Sequence, residues 1–149
     1  MATLRVTINE QINLNNQEYG GMNELSISSI NEIFKRIVTV STNELVLYET
    51  DDSLVAGAKF DDDNIKYVRI KNLDTGSNYI VVRVKNAAND EFAYKLNAGE
   101  MFLLYQHEGT MNAVAAGTLD IGTGWEDITS VKLTSSSGSQ DAEVFIAST

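Results

Sequence analysis

His107 is the only histidine in the chain, so a Ser-His-Asp relay would have to use it as its base. Its setting, YQHEGT (Tyr105 to Thr110), reads as a strand end running into a turn, and no G-x-S-x-G nucleophile elbow occurs anywhere. A histidine base needs positioned partners. His107 therefore reads as a solvated loop residue, and His107→Ala is expected to leave stability nearly unchanged. The acids Glu49, Asp51, Asp52, Asp61, Asp62 and Asp63 offer the hard oxygen ligands that calcium takes. Yet FDDDN lacks the D-x-[DN]-x-[DN]-G spacing of a calcium loop, and adjacent carboxylates on an extended chain point to opposite sides. A solvated acidic turn is the expectation.

Glycoside hydrolysis needs two carboxylates facing across a cleft, and with 21 acidic residues the sequence selects no pair. Gly20-Gly21, Gly117 and Gly122-Thr123-Gly124 lack the G-x-x-x-x-G-K-[ST] phosphate pattern and read as turn glycines. Trp125 and the tyrosines Tyr19, Tyr48, Tyr67, Tyr79, Tyr94 and Tyr105 could stack on sugars, although aromatics are ordinary strand residues. The core reading is favoured. The sequence thus predicts no catalytic, cofactor-binding or metal-ligating residue, and a chain that is not an enzyme.

Composition narrows the partners. With 149 residues, 43% of them hydrophobic, the chain is long enough for one domain with a substantial core. Its net charge of −10 would be repelled by a nucleic-acid backbone or an anionic membrane, so no nucleic acid and no membrane is expected as partner. Cysteine is absent, which removes disulfides and thiolate chemistry. No apolar run approaches the roughly 18 residues of a membrane span. MATLRVTINEQINL alternates too strictly for a secretory leader. Proline is also absent, against an average near 5%. Because proline often protects strand edges, edges covered by charges or by a neighbouring subunit are expected.

The elements that would carry these residues are strands. Leu4, Val6, Ile8, Ile12 and Leu14 sit at even positions between polar neighbours, interrupted only by Glu10. That pattern predicts one long half-buried strand, or two with a bulge at Glu10. NNQEYGG (Asn15 to Gly21) reads as a turn, and Leu25 and Ile27 open the next strand. Ile30, Ile33, Phe34 and Ile37 have helical spacing, and Ser29 with Glu32 resembles a capping box. A short helical turn is the most this window supports before a strand at 36–41.

Further strands are predicted at 45–49, 67–72, 79–85, 92–97, 101–106, 131–134 and 142–147 from period-two alternation. LDTGSN, NAANDE and NAGE supply the turns that join Tyr67–Tyr105 into an antiparallel meander. The stretch from His107 to Gly124, rich in Gly, Ala and Thr, predicts an extended loop or arm at 107–124. The fold class expected is all-β: a single antiparallel β-sandwich, jelly-roll-like, spanning 1–149.

SINEIFKRIVTVSTNELVLYE (Ser29 to Glu49), FDDDNIKYVRIKNLDTGSNYIVVRV (Phe60 to Val84), YKLNAGEMFLLY (Tyr94 to Tyr105) and the closing AEVFIAS (Ala142 to Ser148) resemble small virion proteins of tailed phages. The likeness is one of strand and turn wording, without chemical residues to carry over. It implies a capsid decoration (cement) protein, made in the host cytoplasm and residing on the virion, with the major capsid protein as partner. Such a protein sits where shell subunits meet, so a homotrimer is expected. The alternatives are a tail, neck or fibre component and a carbohydrate-binding sandwich.

Overall fold

The computed structural model describes residues 1–50, 64–105, 110–111 and 124–149. Its elements are all strands: β1 (Ala2–Leu14), β2 (Gln17–Ile30), β3 (Glu32–Val40), β4 (Leu45–Glu49), β5 (Ile65–Asn72), β6 (Tyr79–Asn86), β7 (Glu91–Asn97), β8 (Met101–Leu104), β9 (Thr110–Met111), β10 (Glu126–Ser135) and β11 (Gln140–Ser148). Every pairing among them is antiparallel. One sheet runs β3-β11-β5-β8, the other β4-β10-β6-β7 with β9 on the start of β10, and β1-β2 form a separate ribbon. The fold is thus an all-β sandwich with an added two-stranded arm.

The alternation read in the sequence places the core. Val68, Ile70, Val144 and Ile146 from one sheet meet Ile80, Val82, Val84, Leu96, Val131 and Leu133 from the other, and all are fully buried. Inner faces of two sheets interdigitate in this way because each strand offers alternate side chains to one side. Tyr48 lies in the same cluster, where burial pushes its phenol far above the usual tyrosine range.

One end of the sandwich is closed by buried polar groups. Asn72 donates from Nδ2 to the Leu96 carbonyl at 3.0 Å, and its Oδ1 accepts the Asp74 N–H at 3.0 Å. Gln140 donates to Ser135 Oγ at 2.8 Å and to the Tyr79 carbonyl at 3.4 Å. These contacts tie the ends of β5, β7 and β10 to the starts of β6 and β11, so three turns are fixed relative to one another.

Several expectations are corrected. Tyr67–Tyr105 is no meander: only β6 and β7 pair as a local hairpin, while β5 pairs with β11 and β8 in the opposite sheet. Alternation says which side chains face inward but not which strand lies alongside. No helical turn forms at 28–40. Phe34, Val38 and Val40 turn towards the core, Ile33 and Ile37 face outward, and β3 pairs with β11 along its whole length. Nine residues of ladder outweigh a helical window of about two turns.

Ser29, expected as a cap, adopts φ 64° near the end of β2. The turn predicted at 15–21 shrinks to Asn15 and Asn16, both at positive φ (54° and 62°), as a two-residue hairpin loop requires. Glu10 makes no bulge, because the β1-β2 register runs unbroken from Leu4 to Leu14. Gly20 and Gly21 consequently lie in β2 rather than in a turn. Of the loop or arm expected at 107–124, only Thr110–Met111 (as β9) and Gly124 are described; the rest lies outside the described residues.

Candidate functional site

Among the described residues, those considered for chemistry are not brought together. His107, Asp51, Asp52, Asp61, Asp62, Asp63, Gly117, Gly122 and Thr123 lie outside the described residues. Glu49 is exposed at the end of β4. No group of three or more His, Cys, Asp or Glu residues that could hold a metal occurs among the described residues. The aromatics are dispersed. Tyr48 and Tyr67 are buried, Lys95 Nζ stands 4.3 Å over the Tyr79 ring, and Tyr94 on β7 leans on Phe102 on β8 with ring centroids 5.5 Å apart. Tyr105 just past β8, Trp125 just ahead of β10 and Tyr19 on β2 are about half exposed.

What the structure does present is a contrast between its two outer faces. The outer face of the β4-β10-β6-β7 sheet carries a charge network: Glu44, just ahead of β4, holds Arg83 at 2.6 Å and Lys132 at 3.2 Å, and Arg83 also reaches Glu91 at 3.7 Å. These groups are partly exposed, and such pairs contribute little to stability; they make the face hydrophilic.

The outer face of the β3-β11-β5-β8 sheet is different. Register sets Lys35, Phe145, Arg69 and Leu103 in one row, and Ile37, Glu143, Lys71 and Met101 in the next. Arg69 pairs with Glu143 and also lies 6.0 Å from the Phe145 ring. Phe145 meets Tyr67 edge-on at 5.8 Å.

The base of the arm packs on this second face. Leu4, Val6 and Ile27 cover Tyr67, Ala147 and Ile30, with Phe145 and Leu103 at the margin. Burial there pushes the Tyr67 phenol up, opposed by the Arg69 cation. Between β1 and the sheet runs a groove of about 530 Å³. Apolar side chains of both elements line it, together with Arg5, Lys35 and Arg69.

Beyond the groove the arm leaves the body. Its two faces follow from the register: Leu4, Val6, Ile8, Ile12, Leu14, Tyr19, Leu25 and Ile27 fall on one side with Glu10, Gln17 and Asn23 among them, and Arg5, Thr7, Asn9, Gln11, Asn13, Glu18, Met22 and Glu24 on the other. The inner third of the apolar side is covered by the sheet, but Ile12, Leu14 and Tyr19 remain 58%, 56% and 52% exposed. Gly20 lets the strands cross closely: at φ 139° its position would bring a Cβ to 2.0 Å from the Glu10 carbonyl oxygen. The sequence did signal the amphipathic strands, and Asn15-Asn16 was the available hairpin signal. It gave no sign that the apolar side would run on past the body.

Neither the family models nor the curated proteins contain a match to this chain. No helix among the described residues is long and apolar enough to cross a membrane.

Proposed function

We propose that this protein is a non-enzymatic structural component of a tailed-phage virion, a decoration (cement) protein that docks on the outside of the head and staples neighbouring major capsid subunits. The observation that carries the reading is the build of the surface. A rigid sandwich bears a 29-residue amphipathic ribbon (Ala2–Ile30) whose outer apolar side has no cover within the described chain. An isolated two-stranded ribbon is marginal in water, so strands this long are suited to being held by another macromolecule.

The strand orders β3-β11-β5-β8 and β4-β10-β6-β7, with most connections crossing between sheets, support a jelly-roll reading of the sandwich. The net charge of −10 suits a partner with basic patches rather than nucleic acid or an anionic membrane. A trimer placed where three shell subunits meet would repeat one modest contact several times and multiply it through effective concentration.

Antibody raised against the purified protein, coupled to gold and applied to phage particles from lysates that react with it, tests the proposal. Label distributed over heads is the expected result. Label confined to tails would move the protein to a tail, neck or fibre role, and antigen that never co-sediments with particles would overturn the virion reading. A glycan array with clear, saturable binding would favour the carbohydrate-binding alternative.

A further inference from the structure

The arm tip and the groove at the arm base are complementary, yet they cannot meet within one molecule. The tip offers Ile12, Leu14 and Tyr19 on one side, and no lysine or arginine occurs between Arg5 and Lys35, whereas Glu10, on the same side as Ile12, and Glu18, on the other, lie in the outer half of the arm. The tip is therefore apolar and acidic. The groove is apolar and basic: among the described residues Arg5, Lys35 and Arg69 line it and no acid does, Arg69 being shared with Glu143 just outside. In a chain of net charge −10 this is an unusual local sign, and it matches the tip.

Distance forbids self-docking. Leu14 lies eight residues along β1 from Val6 at the groove, and at about 3.3 Å per residue the extended strand holds them roughly 26 Å apart. The two-residue loop at Asn15-Asn16 and the β1-β2 register, unbroken from Leu4 to Leu14, leave no slack to fold the tip back.

We infer that the arm tip of one molecule docks in the arm-base groove of a second copy of this chain. Ile12, Leu14 and Tyr19 enter between β1 and the sheet, and Glu10, which shares their side of the arm, meets Lys35. The contact joins two different patches, so it propagates head to tail and closes into a ring where the rotation allows. This names the surface for the self-association proposed above. It does not depend on the virion role.

The chain has no cysteine, which makes cross-linking specific. Two differently tagged proteins, Leu14→Cys and Met101→Cys, are mixed and mildly oxidised; a mixed disulfide dimer carrying both tags is expected, since Met101 lines the groove. In parallel, light scattering measures wild type, Leu14→Asp/Tyr19→Ser, Lys35→Glu and Met22→Asp.

The wild type should show a whole-number multiple of 16.4 kDa. The tip and groove variants should associate at least about thirtyfold more weakly, as loss of a central contact does. Met22 lies on the opposite side of the arm and is 71% exposed, so its variant should assemble normally. All four substituted positions stand outside the core, and circular dichroism matching wild type confirms folding.

A monomeric wild type up to its solubility limit, an oligomer that survives both the tip and the groove variants, or absence of the mixed disulfide would each overturn the inference. Monomers that still label phage heads would refute arm exchange and leave the decoration reading standing. Oligomers that label no particle would do the reverse.

Discussion

Replacing Asn72 by alanine should be among the most damaging single changes outside the apolar core. Asn72 is fully buried, and its amide serves both sides at once. It donates to the Leu96 carbonyl at 3.0 Å and accepts from the Asp74 N–H at 3.0 Å, with a longer approach of 3.5 Å to Gln140 Oε1. Truncation leaves the Leu96 carbonyl and the Asp74 N–H without their side-chain partner. Each buried group left unsatisfied costs about 1–3 kcal/mol, and because Asp74 is only partly buried water can recover some of its share. A loss of about 3 kcal/mol is expected.

For a domain of this size that corresponds to a fall in Tm of roughly 6–12 °C. Urea and thermal unfolding followed by far-ultraviolet circular dichroism measure it, with an unchanged urea slope showing that the unfolded state is not the cause. A loss below about 1 kcal/mol, within the worth of one ordinary hydrogen bond, would refute the view that this network locks the turns together.

Three further outcomes follow from the geometry. Ser130 Oγ is buried with no hydrogen-bond partner among the described residues, so Ser130→Ala should be neutral or stabilising by up to about 1 kcal/mol in the same unfolding assay. Glu100 accepts from the Asn97 backbone N–H at 2.8 Å and from Asn97 Nδ2 at 3.1 Å, and the backbone contact leads in holding its carboxyl below the ordinary 4.5. A lowered folded value stabilises the fold above the unfolded value and is lost as pH falls through the folded one. The stability gap between wild type and Glu100→Gln should therefore be present at neutral pH and close below about pH 4.5, as unfolding curves at a series of pH values will show. Gly20→Ala cannot be accommodated against the Glu10 carbonyl; limited proteolysis should open the arm between Ile8 and Glu24 while the sandwich keeps its Tm.

The local physics of this chain was legible in its sequence. Period-two placement of Val68 and Ile70, of Ile80, Val82 and Val84, and of Val144 and Ile146 identified strands and their buried sides, because a pleated backbone sends alternate side chains to opposite faces whatever lies beyond. The all-β sandwich followed from many such segments separated by turn residues.

Pairing was another matter. Nothing in LDTGSN (Leu73 to Asn78) distinguishes a hairpin turn from a crossing to the opposite sheet, so β5 joined β11 and β8 rather than β6. Long-range ladder and core packing made that choice, as they did in holding Ile33 and Ile37 outward on a strand despite their helical spacing.

The arm makes the same point at the scale of function. Ile12 and Leu14 alternate like Val68 and Ile70, and the sequence reads both as half-buried. Coverage is a property of what the rest of the chain can reach, and the sheet ends before the ribbon does. The sequence alone fixed that the arm would have an apolar side. Only the tertiary structure decided that the described body would leave most of that side bare, and that a basic groove would stand at its base.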